Sequence, residues 1–281
     1  MMHGTKWLLV SLLAAFCFWF PAAFKRWTHA FRPQKCLVEW PFNPAWEFPP
    51  LSREKKAEIT AVLNGPFSYL AKGAQSYVFL SRDQKYVLKL FRFDTCKVPF
   101  GQKAMRAFRK WAGMREKYFL STSLRAPKIF NSCQWACSLA PSQTGVVFAH
   151  LNPKSADLPV VTLKDRLGRS HQIDPAKYRF VLQKKAEPFG VLRSKEEIQP
   201  YIDSYFTLLD EIGNLGLVNL DTKLGGNFGF IDGKAAMIDF GNIHLLPEQA
   251  ADRTAIFSLL LETWLKKNGL FSKAKLREDR G

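Results

Sequence analysis

The spacing of apolar and polar residues changes character several times along this chain. Trp7 to Phe24 is an uncharged apolar run, WLLVSLLAAFCFWFPAAF. As a helix rising about 1.5 Å per residue it nearly spans a hydrocarbon core of about 30 Å. Residues 33 to 50 then carry five prolines and four aromatics, a pattern that forbids a helix and reads as an extended arm packed on a surface. From Ser52 to Asn64 the helical period returns: Ser52 is a candidate N-cap, and Ile59, Val62 and Leu63 share a face. Tyr69 to Phe79 and Lys85 to Phe93 read as strands, joined by the turn Ser81-Arg82-Asp83-Gln84.

Gln102 to Leu120 reads as a strongly basic helix. Val146 to His150, Val160 to Asp165 and Tyr178 to Lys184 read as further strands, with a turn at Leu167-Gly168. Lys195 to Leu215 is an amphipathic helix, with Ile198, Ile202, Tyr205, Leu208, Leu209 and Ile212 along it. Asn227 to Ile231 and Ala235 to Asp239 are two short strands meeting at Asp232-Gly233. Ala250 to Lys267 is a terminal helix. Strands with one helix, then mostly helices with one hairpin, predict a small sheet lobe and a helical lobe, joined near Glu187 to Gly190.

Composition adds one anomaly. With 281 residues, 47% of them hydrophobic and 23% charged, the chain can bury a core and is no disordered tail. Its sign is lopsided: 41 Lys and Arg against 24 Asp and Glu give +17. Such a chain is drawn to acidic partners: nucleic acid, anionic lipid or phosphorylated sugar. Five cysteines are an odd number spread along the chain, which suits a reducing compartment better than a disulfide framework. Cys133-x-x-x-Cys137 lacks the second pair a zinc site needs, and the five histidines suggest no Ser-His-Asp set. His244 reads as a locally packed residue.

The apolar run has two readings. As a cleaved signal peptide it has a poor cleavage pattern around Pro21, Ala22 and Ala23. As an uncleaved anchor it is preceded by Lys6 and followed by Lys25, Arg26, Arg32 and Lys35, so the heavier positive side, and the globular part with it, stays in the cytoplasm. The anchor is favoured.

Three motifs carry chemistry. Lys72-Gly73-Ala74-Gln75-Ser76-Tyr77-Val78 is a small-residue turn in which Gly73 and Ser76 would let backbone amides approach oxyanions, and Lys89 ends the run Val87-Leu88 as a desolvated cation suited to phosphate. Asp221-Thr222-Lys223-Leu224-Gly225-Gly226-Asn227 follows an apolar strand. Its Asp and Asn could hold a hydroxyl and a metal, and its Lys a phosphoryl group. Ala235 to Gly241 delivers Asp239 at a strand end, where a carboxylate suits Mg²⁺ bridging phosphates.

In that order and spacing, from about residue 69 to 240, the chain resembles the protein-kinase-like superfamily. Gly73 to Val78 looks like the later part of the glycine-rich loop, with Gly73, Ser76 and Val78 over the nucleotide. Lys89 looks like the lysine on the α- and β-phosphates. That lysine needs a glutamate from a helix, and Glu116 is the sole acid between Asp94 and Asp157. Phe180 to Gln183 resembles the strand before a hinge near Lys185-Ala186-Glu187. Asp221 looks like the catalytic-loop aspartate, Lys223 keeps the D-x-K spacing, Asn227 looks like the metal-binding asparagine, and Asp239-Phe240-Gly241 is the D-F-G.

The resemblance implies an α+β, bilobal kinase-like fold: a small antiparallel sheet lobe with one helix (51–186), then a reduced helical lobe (187–281). A hydrophobic helix (1–24) and the arm (25–50) precede them. It implies ATP and Mg²⁺ as cofactors and phosphoryl transfer to a hydroxyl acceptor such as a phosphorylated sugar or lipid. There are departures. Ala71 and Ser76 replace two loop glycines, Asn219-Leu220-Asp221 replaces H-R-D, and Asp221 to Asn227 is one residue longer than usual. No A-P-E segment follows, and only about 40 residues succeed the D-F-G. The pattern is similar to bacterial lipopolysaccharide-core and small-molecule kinases rather than to Ser/Thr kinases, and the apolar run read as an anchor would set the chain on the inner membrane as a single-pass protein with a cytoplasmic domain. The alternatives are export after cleavage and a membrane-associated pseudokinase or nucleotide-binding scaffold. An anionic membrane surface accounts for the basic charge; with no base-reading motif, nucleic acid is not the expected partner.

Overall fold

A computed structural model describes residues 19–20, 23–24, 26–37, 41–92, 122–153 and 157–276. Residues 19, 20, 23, 24, 26 and 27 are helical; the rest of the apolar run lies outside the described residues. Among the described residues no helix is long and apolar enough to cross a membrane. The basic stretch Gln102 to Leu120 also lies outside them.

The fold is α+β. Helix α1, Arg53–Asn64, starts where Ser52 Oγ accepts the Lys55 amide at 3.2 Å, and it buries Ile59 and Leu63. Strands β1 (Phe67–Lys72), β2 (Ser76–Ser81) and β3 (Tyr86–Phe91) follow as a meander. The turn between β2 and β3 is clamped by Ser81 Oγ donating to Asp83 Oδ1 at 2.6 Å. The predicted strand Tyr69 to Phe79 is therefore two strands, broken at Gly73-Ala74-Gln75. Helix α2 (Thr122–Leu139) comes next, with Pro127 inside it. The sequence pattern predicts no helix there, because its proline and small polar residues hide the period. A short turn of helix, α3 (Pro141–Thr144), leads to β4 (Val146–His150).

Strands β5 (Val161–Lys164), β6 (Ser170–Ile173) and β7 (Phe180–Lys184) complete one sheet of order β4-β7-β3-β2-β1-β5-β6. The sheet is mixed, which corrects the antiparallel expectation: β5 runs parallel to β1, with Phe67 opposite Leu163. The cause is a crossover. The chain leaves β4 on one edge and returns as β5 beside β1 near the other, a route that a tight hairpin does not allow. Two helices, α1 and α2, accompany this sheet where one was expected.

Alternation then sorts the side chains. Tyr77, Phe79, Leu88, Leu90, Phe180 and Leu182 turn to the core shared with Ile59 and Leu63 of α1. Phe91 and Val181 turn to the core shared with Phe130 and Cys133 of α2. The proline-rich arm plugs into both: Phe31 and Cys36 into the first, Trp46 into the second, where its Nε1 donates to Asn131 Oδ1 at 2.7 Å.

The second core continues into the C-terminal part. Strand β8 (Glu187–Pro188) pairs with β10 (Phe228–Ile231), which pairs with β11 (Lys234–Met237) through a turn with Asp232 at φ 51° and Gly233 at φ 78°. Two positive φ values in succession are the two-residue hairpin turn that Asp-Gly favours. Helices α4 (Gln199–Asn214) and α6 (Ala250–Lys267) pack around this hairpin, Tyr205 meeting Phe228 edge-on at 5.3 Å and Phe228 meeting Phe257 at 5.1 Å. Strand β9 (Leu217–Asn219), helical turn α5 (Leu224–Asn227) and β12 (Ile243–Leu245) complete the fold.

One buried titratable group makes this fold sensitive to acid. His150 on β4 lies against Phe180 at 5.4 Å, and its Nε2 bonds the Pro175 carbonyl at 2.8 Å. Burial, helped by nearby Arg179, pushes its pKa down to about 4 from 6.5. The unfolded chain thus binds a proton between those values that the folded chain refuses, so stability falls as pH drops. Urea unfolding should show about 2 kcal/mol lost between pH 7 and pH 5 on this account. A His150→Gln variant should lose that part of the pH dependence; an unchanged profile would refute the assignment.

Candidate functional site

The three predicted motifs converge on one side of the large sheet. Val78 on β2 and Val181 on β7 lie directly opposite Lys89 on β3, so all three side chains leave the same face. Lys89 Nζ donates to the Ile238 carbonyl and sits 4.9 Å from the Phe240 ring centre. Burial holds its pKa below the ordinary lysine value, against the opposing pull of Asp239 and of the Cys133 and Cys137 thiols. The strand lysine and the D-F-G thus meet directly.

Glu116, the expected partner of Lys89, lies outside the described residues. Among the described residues the helix that reaches the neighbourhood of Lys89 is α2, and its sequence has no Asp or Glu. It brings Cys133 and Cys137. Burial raises the Cys133 thiol well above its ordinary value and pushes Cys137 up to about 12, so both are neutral at pH 7 and neither replaces a carboxylate. The helix is fixed by Ser132, whose hydroxyl donates to the Ile243 carbonyl at 2.7 Å, tying α2 to β12 just beyond the D-F-G.

The small-residue turn behaves differently from expectation. The Gly73 amide donates to the Ser76 carbonyl at 2.8 Å, which closes the turn on itself. Gly73 therefore does not present its N–H to a ligand, because the tight reversal between β1 and β2 consumes it. Ser76 opens β2, opposite Phe91. The residue that reaches the cleft is Gln75: its Nε2 donates to the Gly241 carbonyl at 3.4 Å, linking the turn to the D-F-G.

Two asparagines organise the C-terminal half of the site. Asn219, at the end of β9, donates from Nδ2 to the Asp239 carbonyl at 3.2 Å and accepts the Asp221 amide on Oδ1 at 2.9 Å. It stands where the resemblance expects histidine, and it joins the loop of Asp221 to the loop of Asp239. Asn227 donates from Nδ2 to the Asp221 carbonyl at 2.7 Å, while its own carbonyl accepts the Ile238 and Asp239 amides at 2.7 and 3.2 Å. The pairing of β9 with β12, Asn219 opposite Ile243, holds the two loops side by side. The additional residue between Asp221 and Asn227 is taken up by the single helical turn α5, which leaves Gly225 and Gly226 exposed and returns Asn227 to a buried position.

Asp221 is half-buried, and Lys223 and Asp239 are exposed. Asp221 Oδ1 accepts the Lys223 amide at 3.1 Å, and Asp239 Oδ1 accepts the Gly241 amide at 3.2 Å. With its nitrogen held by the Asp221 carbonyl, Asn227 keeps an amide oxygen as its donor atom, and its backbone carbonyl takes the Asp239 amide. That amide oxygen and the Asp239 carboxylate are hard oxygen donors of the kind Mg²⁺ takes. Among the described residues no group of three or more His, Cys, Asp or Glu could hold a metal.

His244 packs locally, 6.2 Å from the Trp135 ring. The roles of Asn219 and Gln75 escaped the sequence reading. An Asn two residues before an Asp is an Asx-turn signal and made Asn219 findable; nothing local marked Gln75.

No family model and no curated protein matches the chain. Among solved structures it is similar to WbdD, described as a bifunctional kinase-methyltransferase. One WbdD structure shows 16% identity and a TM-score of 0.38 over 67% of this chain and 34% of that one. A complex of WbdD with the kinase inhibitor LY294002 shows 12% identity and a TM-score of 0.40 over 70% of this chain and 38% of that one. The chain thus spans less than half of the WbdD chains, and overlaps of this size do not establish a shared fold.

Truncating Asn219 tests the tie between the loops. Asn219→Ala removes the partner of the Asp239 carbonyl and of the Asp221 amide, both in part-buried bonds, and should cost about 1–3 kcal/mol in chemical denaturation. Leu217→Val, on the same strand but outside the web, should cost under about 1.5 kcal/mol. Equal, small losses would show that the web contributes little.

Proposed function

We infer that the chain is an ATP-dependent phosphotransferase of kinase-like type, acting on a hydroxyl acceptor. The observation that carries this reading is the asparagine web, which keeps Asp221, Asn227 and Asp239 together next to Lys89. In this reading residues 51–186 cover the nucleotide and residues 187–281 face the acceptor. Lys89 is the cation for the nucleotide phosphates, supported by Val78 and Val181 on the same sheet face. Asn227 and Asp239 would hold Mg²⁺, which when bound screens phosphate charge. Asp221 orients the acceptor hydroxyl and takes its proton, and Lys223, exposed one residue beyond Thr222, offsets the charge of the group being transferred. The acceptor class that suits the basic chain is a phosphorylated sugar or lipid.

One observation favours a second reading, a nucleotide-binding scaffold without catalysis. Lys89 is engaged by the Ile238 carbonyl, the helix near it has no carboxylate, and Gln75 bridges from the turn to Gly241. That arrangement keeps the fold of a nucleotide cleft without poising its lysine.

Two measurements separate the readings. ATP at about 100-fold its Kd should stabilise the protein by about 2.7 kcal/mol, with a further gain from Mg²⁺. Lys89→Met should weaken the ATP effect and Asp239→Ala should remove the Mg²⁺ increment. ADP release from ATP should fall about 10²–10⁴-fold in Asp221→Asn, while ATP-induced stabilisation persists. Nucleotide binding with no turnover in the parent would establish the scaffold reading. No stabilisation by any nucleotide would reject both.

A further inference from the structure

Away from the cleft, the arm and the β5–β6 hairpin enclose a concavity of about 680 Å³. Its charged lining is four bases, Arg32, Lys35, Arg166 and Arg169, against one acid, Asp165. That acid is already spoken for. Asp165 is buried and accepts the Leu167 amide at 2.8 Å, the Arg169 amide at 3.0 Å, Arg169 Nε at 2.9 Å and His171 Nε2 at 3.0 Å. Burial works against its charge, yet the bonds from His171, Arg169 and Leu167 hold its pKa below the ordinary aspartate value. The carboxylate therefore serves the hairpin turn and leaves the concavity positive. Arg32 is exposed, with no ion-pair partner among the described residues.

The rim is as unusual as the lining. Trp19 is 77% exposed and Trp27 53%, with Phe20 and Phe24 exposed between them. Phe20 stacks on Phe24 at 5.8 Å and Phe24 meets Trp27 at 6.3 Å, so these rings form one continuous stripe, and Phe24 itself lines the concavity. Arg166 locks the two features together: its Nη1 donates to the Trp27 carbonyl at 2.8 Å, and its guanidinium lies 6.0 Å from the Trp27 ring. An aromatic stripe exposed to water is costly, and in a phosphate-rich apolar interface it is favourable. A cluster of bases beside it is the electrostatic complement of anionic lipid.

We propose that this concavity is a headgroup site for an anionic phospholipid, with the Phe20–Trp27 stripe seated in the acyl-chain boundary and Arg32 and Arg166 on the lipid phosphate. The occupant is a bilayer and not a duplex nucleic acid, because a duplex backbone provides no apolar phase for the exposed rings, whereas the stripe continues the uncharged apolar run that begins at Trp7. The site lies on the opposite strand edge from β4 and uses no residue of the nucleotide cleft, so it stands or fails independently of the phosphotransfer reading.

The test is flotation of the full chain with two kinds of vesicle, phosphatidylcholine alone and phosphatidylcholine with about a third phosphatidylglycerol. The parent should prefer the anionic vesicles at least tenfold. Arg32→Gln/Arg166→Gln should weaken binding to the anionic vesicles about 30-fold, two basic contacts' worth, and leave binding to neutral vesicles unchanged. Arg32→Gln alone, at an exposed position, should lose about fivefold with an unaltered melting temperature, which guards against misfolding of the double variant. Soluble glycerol phosphate at millimolar concentration should not release the chain from vesicles; release would make the site a free-phosphate site. Equal binding of the parent to both vesicles, an unchanged preference in the variants, or displacement by duplex DNA with the same variant sensitivity would overturn the proposal.

Discussion

The geometry of the cleft depends on hydrogen bonds made by two side-chain amides in otherwise irregular backbone. Asn219 closes strand β9 and Asn227 closes the helical turn α5, and each bridges the Asp221 segment to the Asp239 segment. An amide both donates and accepts, so one residue can fix two backbones at once. Both asparagines are buried while their bonds reach part-buried backbone, so the web shares its members and fixes two segments together. The two candidate carboxylates follow where these amides put them.

The sheet supplies the other half. The three strands β2, β3 and β7, paired in unbroken register, flank Lys89 with Val78 and Val181, and the face behind it is sealed by α1 through Ile59 and Leu63. The second core runs from α2 under the sheet to α4 and α6, so the lysine strand and the asparagine loops rest on shared packing. Ser132 adds a polar rivet between α2 and β12. A shift in either core would be felt as a change in distance between Lys89 and Asp239.

Much of this was legible beforehand. The terminal helix Ala250–Lys267 and the Asp232-Gly233 hairpin were readable because their signals are local: helical period in the first, a two-residue turn in the second. Helix α2 was not, since Pro127 and a run of small polar residues dilute its period. Nor was the parallel pairing of β1 and β5, which is decided by a chain crossover across the sheet. The resemblance also asks for a glutamate beside Lys89; Glu116 lies outside the described residues, and helix α2 brings two neutral thiols near the lysine.

The sequence by itself determined the residue types and their order: one lysine on an apolar strand, Asp221, Asn227 and Asp239 in series, and a basic arm following an apolar run. Periodicity and turn chemistry are properties of neighbours along the chain, so they survive without coordinates. What the tertiary structure decided is which of those residues meet. It spent the Gly73 amide on Ser76, brought Gln75 to Gly241, gave Asn219 the task of joining two loops, and set Arg166 against Trp27, 139 positions away. Those contacts depend on how strands cross and on how buried polar groups find partners, and neither is written in any local stretch of the chain.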